Sequence, residues 1–269
     1  MKICFIGGGN MARALIGGLL ARGWSAADIC VIETDAGKSA ELRRDFAIET
    51  AEGLPRAASA DIIVLAVKPQ QLRDIAIFLG SLLQHQLVIS IAAGIRSGDL
   101  IRWLGGYGAV VRVMPNTPAL VQRGTSALYA APGASMAQRE LAEQVLSAVG
   151  STVWLTDESQ MNAVTAISGS GPAYVFYFIE AMQQAAAELG LSADQARELS
   201  LQTFLGAAEL ARQSSDAPDV LRAQVTSKGG TTERALGRMQ ELGVKPAIVQ
   251  AIHAAAQRSQ ELGDLLGKD

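Results

Sequence analysis

The stretch ICFIGGGNMA, residues Ile3 to Ala12, decides the fold. A short apolar run from Lys2 to Ile6 reads as a strand. Three glycines follow it, and a helical pattern opens at about Asn10. Gly7, Gly9 and Ala12 occupy the small positions of G-x-G-x-x-A. The first permits a tight turn, the second lets backbone approach a pyrophosphate, and the third lets the helix pack on the strand. Glycines after a strand are often only turn residues. Here a strand precedes them and a helix follows, the context a dinucleotide requires. Gly7, Gly9, Asn10, Met11 and Ala12 are therefore the expected cofactor contacts, and NADPH or NADH the expected cofactor.

Outward from this loop the first half of the chain alternates strands and helices. Strands are expected at 28–32, 61–67, 86–92 and 109–113, with weaker ones near 125–129 and 152–155. Apolar strands without polar alternation, separated by helices, indicate a parallel sheet covered on both faces. This is the doubly wound α/β class, a Rossmann domain over residues 1–157. Beyond Asp157 only helical patterns continue, so residues 158–269 are expected to form an all-helical second domain. Its alanine-rich helices are apolar on more than one face, which points to burial in a subunit interface, or else to one compact bundle packed on the first domain.

Composition excludes other classes. The chain has 269 residues, 49% of them hydrophobic and 18% charged, with a net charge of −3. That is a globular balance without the basic footprint of a nucleic-acid binder. The apolar run Ala173–Ile179 ends at Glu180, short of the ~20 residues a membrane span needs. Cys4 and Cys30 lie inside expected strands and read as buried free thiols, in keeping with a cytoplasmic protein. Two cysteines and two histidines at these spacings supply no zinc site.

At the end of the second strand, Glu33 stands where an acid usually bonds the ribose 2′-hydroxyl. Its neighbours Thr34, Asp35 and Lys38, with Arg43 and Arg44 further on, include groups able to receive a 2′-phosphate instead. The sequence leaves both dinucleotides open.

A hydride-transferring enzyme acting on an alcohol needs a proton acceptor, most often His, Lys or Tyr. His85 and His253 neighbour no motif, and lysine occurs only at 2, 38, 68, 228, 245 and 268. None lies in the helices that open the second domain, where β-hydroxyacid dehydrogenases carry their catalytic lysine. Hydride addition to a C=N bond asks for less acid–base help, because a protonated iminium is already electrophilic. Positioning then does most of the catalysis.

Near the end of the chain, VTSKGGTTERAL (Val225 to Leu236) places two glycines directly before a helix. Thr231 would serve as an ordinary N-cap. The same geometry also leaves backbone N–H groups open to an anion.

Several stretches together resemble pyrroline-5-carboxylate reductase along the whole chain. They are Ala66-Val-Lys-Pro69, Ser90-Ile-Ala-Ala-Gly94, Arg112-Val-Met-Pro-Asn-Thr-Pro-Ala119, Ser168-Gly-Ser-Gly-Pro-Ala-Tyr174 and Val225-Thr-Ser-Lys-Gly-Gly-Thr-Thr232. The resemblance implies reduction of 1-pyrroline-5-carboxylate to L-proline, and a helical domain that interlocks two subunits, with higher assemblies of dimers. It implies that Val67, Lys68 and Pro69 line the cofactor and that Met114, Pro115 and Asn116 sit near the nicotinamide. Ser168, Gly169 and Ser170 would shape the substrate wall. Ser227, Gly229, Gly230 and Thr231 would hold the carboxylate, and Thr232 the ring nitrogen.

The match has departures. Lys228 stands where the family usually has proline, and Ala217-Pro-Asp-Val-Leu-Arg-Ala223 keeps a basic residue at Arg222 but loses the acid at Ala223. A reductase of another cyclic imino acid and a catalytically silent NAD(P)-binding protein therefore stay as alternatives.

Overall fold

A computed structural model describes residues 1–268. The order is β1 Ile3–Ile6, α1 Asn10–Ala21, β2 Ile29–Ile32, α2 Ala36–Phe46, β3 Glu49–Ala51, β4 Ile62–Leu65 and α3 Pro69–Gly80. Next come β5 Leu87–Ser90, α4 Ser97–Trp103, β6 Val110–Met114, β7 Gly124–Ala130, α5 Met136–Ser147 and β8 Gly150–Trp154. The helical part comprises α6 Met161–Val164, α7 Gly171–Glu188, α8 Ala193–Gln213, α9 Pro218–Gln224, α10 Thr231–Glu241 and α11 Val244–Leu266.

The eight strands form one sheet in the order β3-β2-β1-β4-β5-β6-β7-β8. Strands β1, β2, β4 and β5 are buried at every position, as continuous apolar runs require. Strand β1 pairs in parallel with both β2 and β4, so Ile3 stands level with Ile29 on one side and Ile62 on the other. The strand order turns around here, and the crevice beyond Ile6 and Leu65 is where this fold takes ligands. One side of the sheet packs Phe5 and Val31 against Leu15, Ile16 and Leu19 of α1. The other packs Ile6, Ile63 and Leu65 against Leu72 and Leu79 of α3. Each such side chain, fully buried, contributes about 1.5–3 kcal/mol.

Two features differ from the sequence-based expectation. The sheet is not wholly parallel: β6 and β7 run antiparallel, with Met114 opposite Ala127. Only a short 3₁₀ segment, Thr117–Val121, separates them, and a parallel return needs a crossover of a dozen residues or more. The edge strand β3 was not foreseen. Its three residues, Glu-Thr-Ala, carry no apolar run and are held by pairing with Cys30–Ile32. Cys4 and Cys30 are buried, free and level with each other on β1 and β2. Contact with the neighbouring thiol and burial push the Cys4 thiol far above its usual range.

The described chain forms two compact units. One holds residues from Met1 to Ser170 together with the chain from Ala255, the other Gly171–Ala254. Polar contacts hold the segment after β8 and the chain from Ala255 within the first unit. Glu158 accepts hydrogen bonds from the Ser97 amide (2.6 Å), the Ser97 hydroxyl (2.6 Å) and Arg112 Nη1 (2.8 Å). Met161 and Ala166 are buried just beyond it. At the far end of the chain, Ser259 donates to Asn162 Oδ1 (2.9 Å) and Arg102 to the Gly267 carbonyl (2.8 Å).

In the second unit α7 packs on α8, and a Ser192–Gln195 capping box starts α8. No residue of α7 is buried, and Phe176, Tyr177, Leu199, Leu205 and Leu210 are all exposed.

The Arg112 side chain is only 8% exposed, so its charge depends on Glu158. Removing one partner of a buried pair costs about 3–5 kcal/mol. Because Glu158 is itself partly exposed, Glu158→Ala is expected to lower unfolding free energy by about 3 kcal/mol, and Glu158→Gln by less. Urea denaturation checks this; an unshifted midpoint for Glu158→Ala contradicts it.

Candidate active site

Gly7 ends β1 with φ +99°, and its amide donates to the Ile32 carbonyl (2.9 Å). A Cβ at Gly7 would lie 2.7 Å from the Ala66 carbonyl oxygen, so only glycine fits between β1 and β4. A Cβ at Gly9 would meet nothing within 4 Å. The protein leaves that side open, as close approach of a pyrophosphate requires. Gly9 is the N-cap of α1, with no capping side chain and no acid in the first turn. The N–H groups there, including those of Asn10 and Met11, keep their positive end free for phosphate. Ala12 is fully buried against the sheet.

A cleft of about 590 Å³ runs along this loop, lined among others by Glu33, Thr34, Val67 and Lys68. Glu33 Oε2 accepts the Gly8 amide (3.0 Å) and Oε1 the Asp35 amide (2.9 Å), so one carboxylate ties the glycine loop to the start of α2. Pro69 opens α3 as an N1 proline, with Lys68 as its N-cap. The shape, the open glycine and the uncapped helix start all fit a dinucleotide.

Within the same unit, Met114, Pro115 and Asn116 close the end of β6. Asn116 is buried and its Oδ1 accepts the Thr125 amide (2.9 Å), which fixes the turn into β7. Ser168 and Gly169 belong to a π-helical segment, Thr165–Gly169, closed by the Ser170 amide donating to the Thr165 carbonyl (2.8 Å). Such segments recur at functional sites. A Cβ on Gly169 would collide with Met114 Cε, so the structure brings the expected nicotinamide and substrate-wall residues together.

In the second unit, Ser227–Gly230 is a tight turn with Gly229 at φ +74°. The Gly230 amide donates to the Ser227 carbonyl (3.0 Å), and the Gly229 amide to Glu233 Oε2 (2.7 Å). Gly230, not Thr231, is the N-cap of α10, without a capping side chain. Two of the amides expected to meet an anion are thus used inside the turn. The first-turn N–H groups of Thr231 and Thr232 have no intrahelical acceptor and remain open to an anion. The Thr232 side chain sits half-buried in that first turn.

The pyrroline-5-carboxylate reductase of Pseudomonas aeruginosa is 49% identical to this chain over 269 residues, spanning 99% of this chain and 98% of its own. The chain belongs to the pyrroline-5-carboxylate reductase family. Residues 158–262 match the family model described as pyrroline-5-carboxylate reductase dimerisation, and residues 2–94 one described as NADP oxidoreductase, coenzyme F420-dependent. The pyrroline-5-carboxylate reductase structure from Coxiella burnetii superposes with a TM-score of 0.91 at 39% identity, covering 97% of this chain and 98% of that one. Plasmodium falciparum pyrroline carboxylate reductase, solved with NADP bound, gives 0.89 at 28% identity and 98% coverage of both chains.

For this pyrroline-5-carboxylate reductase family member, sequence reading missed Gly8 and Glu52 on the cleft and the Ser97–Arg112–Glu158 cluster. An arginine inside Val110-Val-Arg-Val113 was the available signal for the last, since a charge in a fully buried strand needs a partner.

The two glycines of the loop are expected to behave differently. Gly9→Ala keeps an allowed backbone and meets no atom, so stability changes by less than about 1 kcal/mol, while dinucleotide affinity falls more than tenfold. Gly7→Ala forces a side chain to positive φ against Ala66 and costs about 2–3 kcal/mol of stability. Thermal melts and nucleotide titration of both variants check the contrast.

Proposed function

We propose that the chain reduces 1-pyrroline-5-carboxylate to L-proline with NADPH or NADH, the last step of proline synthesis. One observation carries the reading beyond family membership. Both α1 and α10 begin on a glycine with no capping side chain, Gly9 and Gly230. Helices α2, α5 and α8 are capped by Asp35, Ser135 and Ser192, and the other uncapped starts, of α3, α4, α6 and α9, stand on Lys68, Arg96, Gln160 and Ala217. The first start suits a pyrophosphate and the second a substrate carboxylate.

When bound, the reduced dinucleotide supplies a hydride for the carbon of the C=N bond. The chain's own residues bind and orient. The Gly7–Ala12 loop holds the pyrophosphate, Val67, Lys68 and Pro69 border the cofactor, and Met114, Pro115 and Asn116 support the nicotinamide end. The Thr231 and Thr232 amides hold the substrate carboxylate, aided by the positive end of α10. The Thr232 hydroxyl holds the ring nitrogen, and Ser168, Gly169 and Ser170 shape the substrate wall. No buried acid or base is needed, because the iminium accepts hydride without further activation and geometry supplies the rate.

Residues 158–269 are the dimerisation part in this reading. The exposed Phe176, Tyr177, Leu199, Leu205 and Leu210 then become the interface of a homodimer or of an assembly of dimers. Among the described residues no helix is long and apolar enough to cross a membrane. The two free buried thiols suit the reducing cytoplasm.

Nicotinamide absorbance, followed with purified protein and 1-pyrroline-5-carboxylate, tests the reading. Thr232→Ala is expected to lower kcat/KM roughly 10- to 100-fold, an interaction of about 1.4–2.7 kcal/mol, with dinucleotide affinity unchanged. Full activity in that variant would remove Thr232 from the site; a different imine turned over in preference would change the substrate.

A further inference from the structure

The ribose end of the cleft shows which dinucleotide the chain prefers, an inference that rests on the proposed reductase reading. Three carboxylates line the cleft, from Glu33, Asp35 and Glu52, against two lysines, Lys38 and Lys68, of which Lys38 belongs to the segment after β2. Glu33 is not free to turn away. Its two oxygens take the Gly8 and Asp35 amides, at 3.0 and 2.9 Å, which holds the charge at the end of β2. Each carboxylate oxygen has a second lone pair, so Glu33 can still accept a hydrogen bond from a ribose hydroxyl.

The place where a 2′-phosphate would normally gain most, the N-terminus of α2, is already taken. Asp35 is its N-cap, and Oδ1 accepts the Lys38 amide at 3.0 Å. That bond holds the Asp35 carboxyl below its usual range. The arginines that follow are engaged elsewhere. Arg43 donates to Thr50 Oγ1, and Arg44 pairs with Asp45 at 2.9 Å. Neither borders the cleft.

We infer that this arrangement selects NADH over NADPH, with Glu33 accepting the ribose 2′-hydroxyl and Asp35 excluding a 2′-phosphate from the start of α2. A neutral hydroxyl donates to the fixed carboxylate. A phosphate dianion brings no donor and faces three like charges, which the two lysines, Lys38 and Lys68, do not outnumber. Asp35 is the specificity-determining residue, because it occupies the anion position with its own charge.

The test is direct binding, without imine, by titrating purified full-length protein with NADH and with NADPH and following nicotinamide fluorescence. NADH is expected to bind at least tenfold tighter. Asp35→Ser keeps an N-cap while removing the charge. It is expected to tighten NADPH binding about fivefold or more and leave NADH within twofold. Lowering the salt should widen the wild-type gap, since screening then falls. NADPH bound as tightly as NADH by the wild type overturns the inference, as does an unchanged ratio in Asp35→Ser. Failure of both nucleotides to bind would instead overturn the reductase reading beneath it.

Discussion

Everything at the cofactor cleft depends on how closely β1 passes β4 at Gly7. The chain must turn from strand to helix within three residues while its backbone lies against the Ala66 carbonyl, and a Cβ there would sit 2.7 Å from that oxygen. The positive φ of Gly7 supplies the turn at no steric cost. As a result α1 begins over the crevice where the strand order reverses, with its free N–H groups aimed into it. The Glu33 carboxylate then fastens the loop from the other side through Gly8. A side chain at Gly7 would displace the helix start, and with it the phosphate position and the Glu33 contact together.

The second constraint is electrostatic. Arg112 is a charge inside a buried strand, and Glu158 is the group that balances it, from the first turn after the sheet ends. Burying one without the other is costly, so the segment after β8 is held to the sheet before the helical unit begins. That places the π-helical turn at Thr165–Gly169 against Met114, so closely that a Cβ on Gly169 would meet the Met114 methyl. The compact first unit therefore carries more of the site than its strands alone.

Much of this was legible in the sequence. The glycine pattern, the apolar strands and the helical second half each follow from a local signal: spacing, lack of alternation, or 3.6-residue periodicity. Seven of the eight strands stand close to their expected positions, because a continuously apolar run has few other homes. Strand β3 escaped notice because edge pairing, not its own residues, makes Glu49–Ala51 extended. The antiparallel β7 depended on the length of a connection that sequence alone reads as a loop. At the site, residue types were readable but the use of individual donors was not. Gly229 and Gly230 looked like two free amides, and the fold assigns them to Glu233 and Ser227. Likewise Glu33, Arg43 and Arg44 read as competing claims on one ribose until their partners were placed.

The central claim is that this chain delivers a hydride to a carbon–nitrogen double bond and relies on positioning to do so. Isotope transfer tests it most directly: turnover of 1-pyrroline-5-carboxylate with reduced dinucleotide carrying deuterium on the transferred face of nicotinamide C4. The account predicts L-proline with one deuterium at the ring carbon that had been doubly bonded to nitrogen. Proline without the label, or label found at any other carbon, would contradict it.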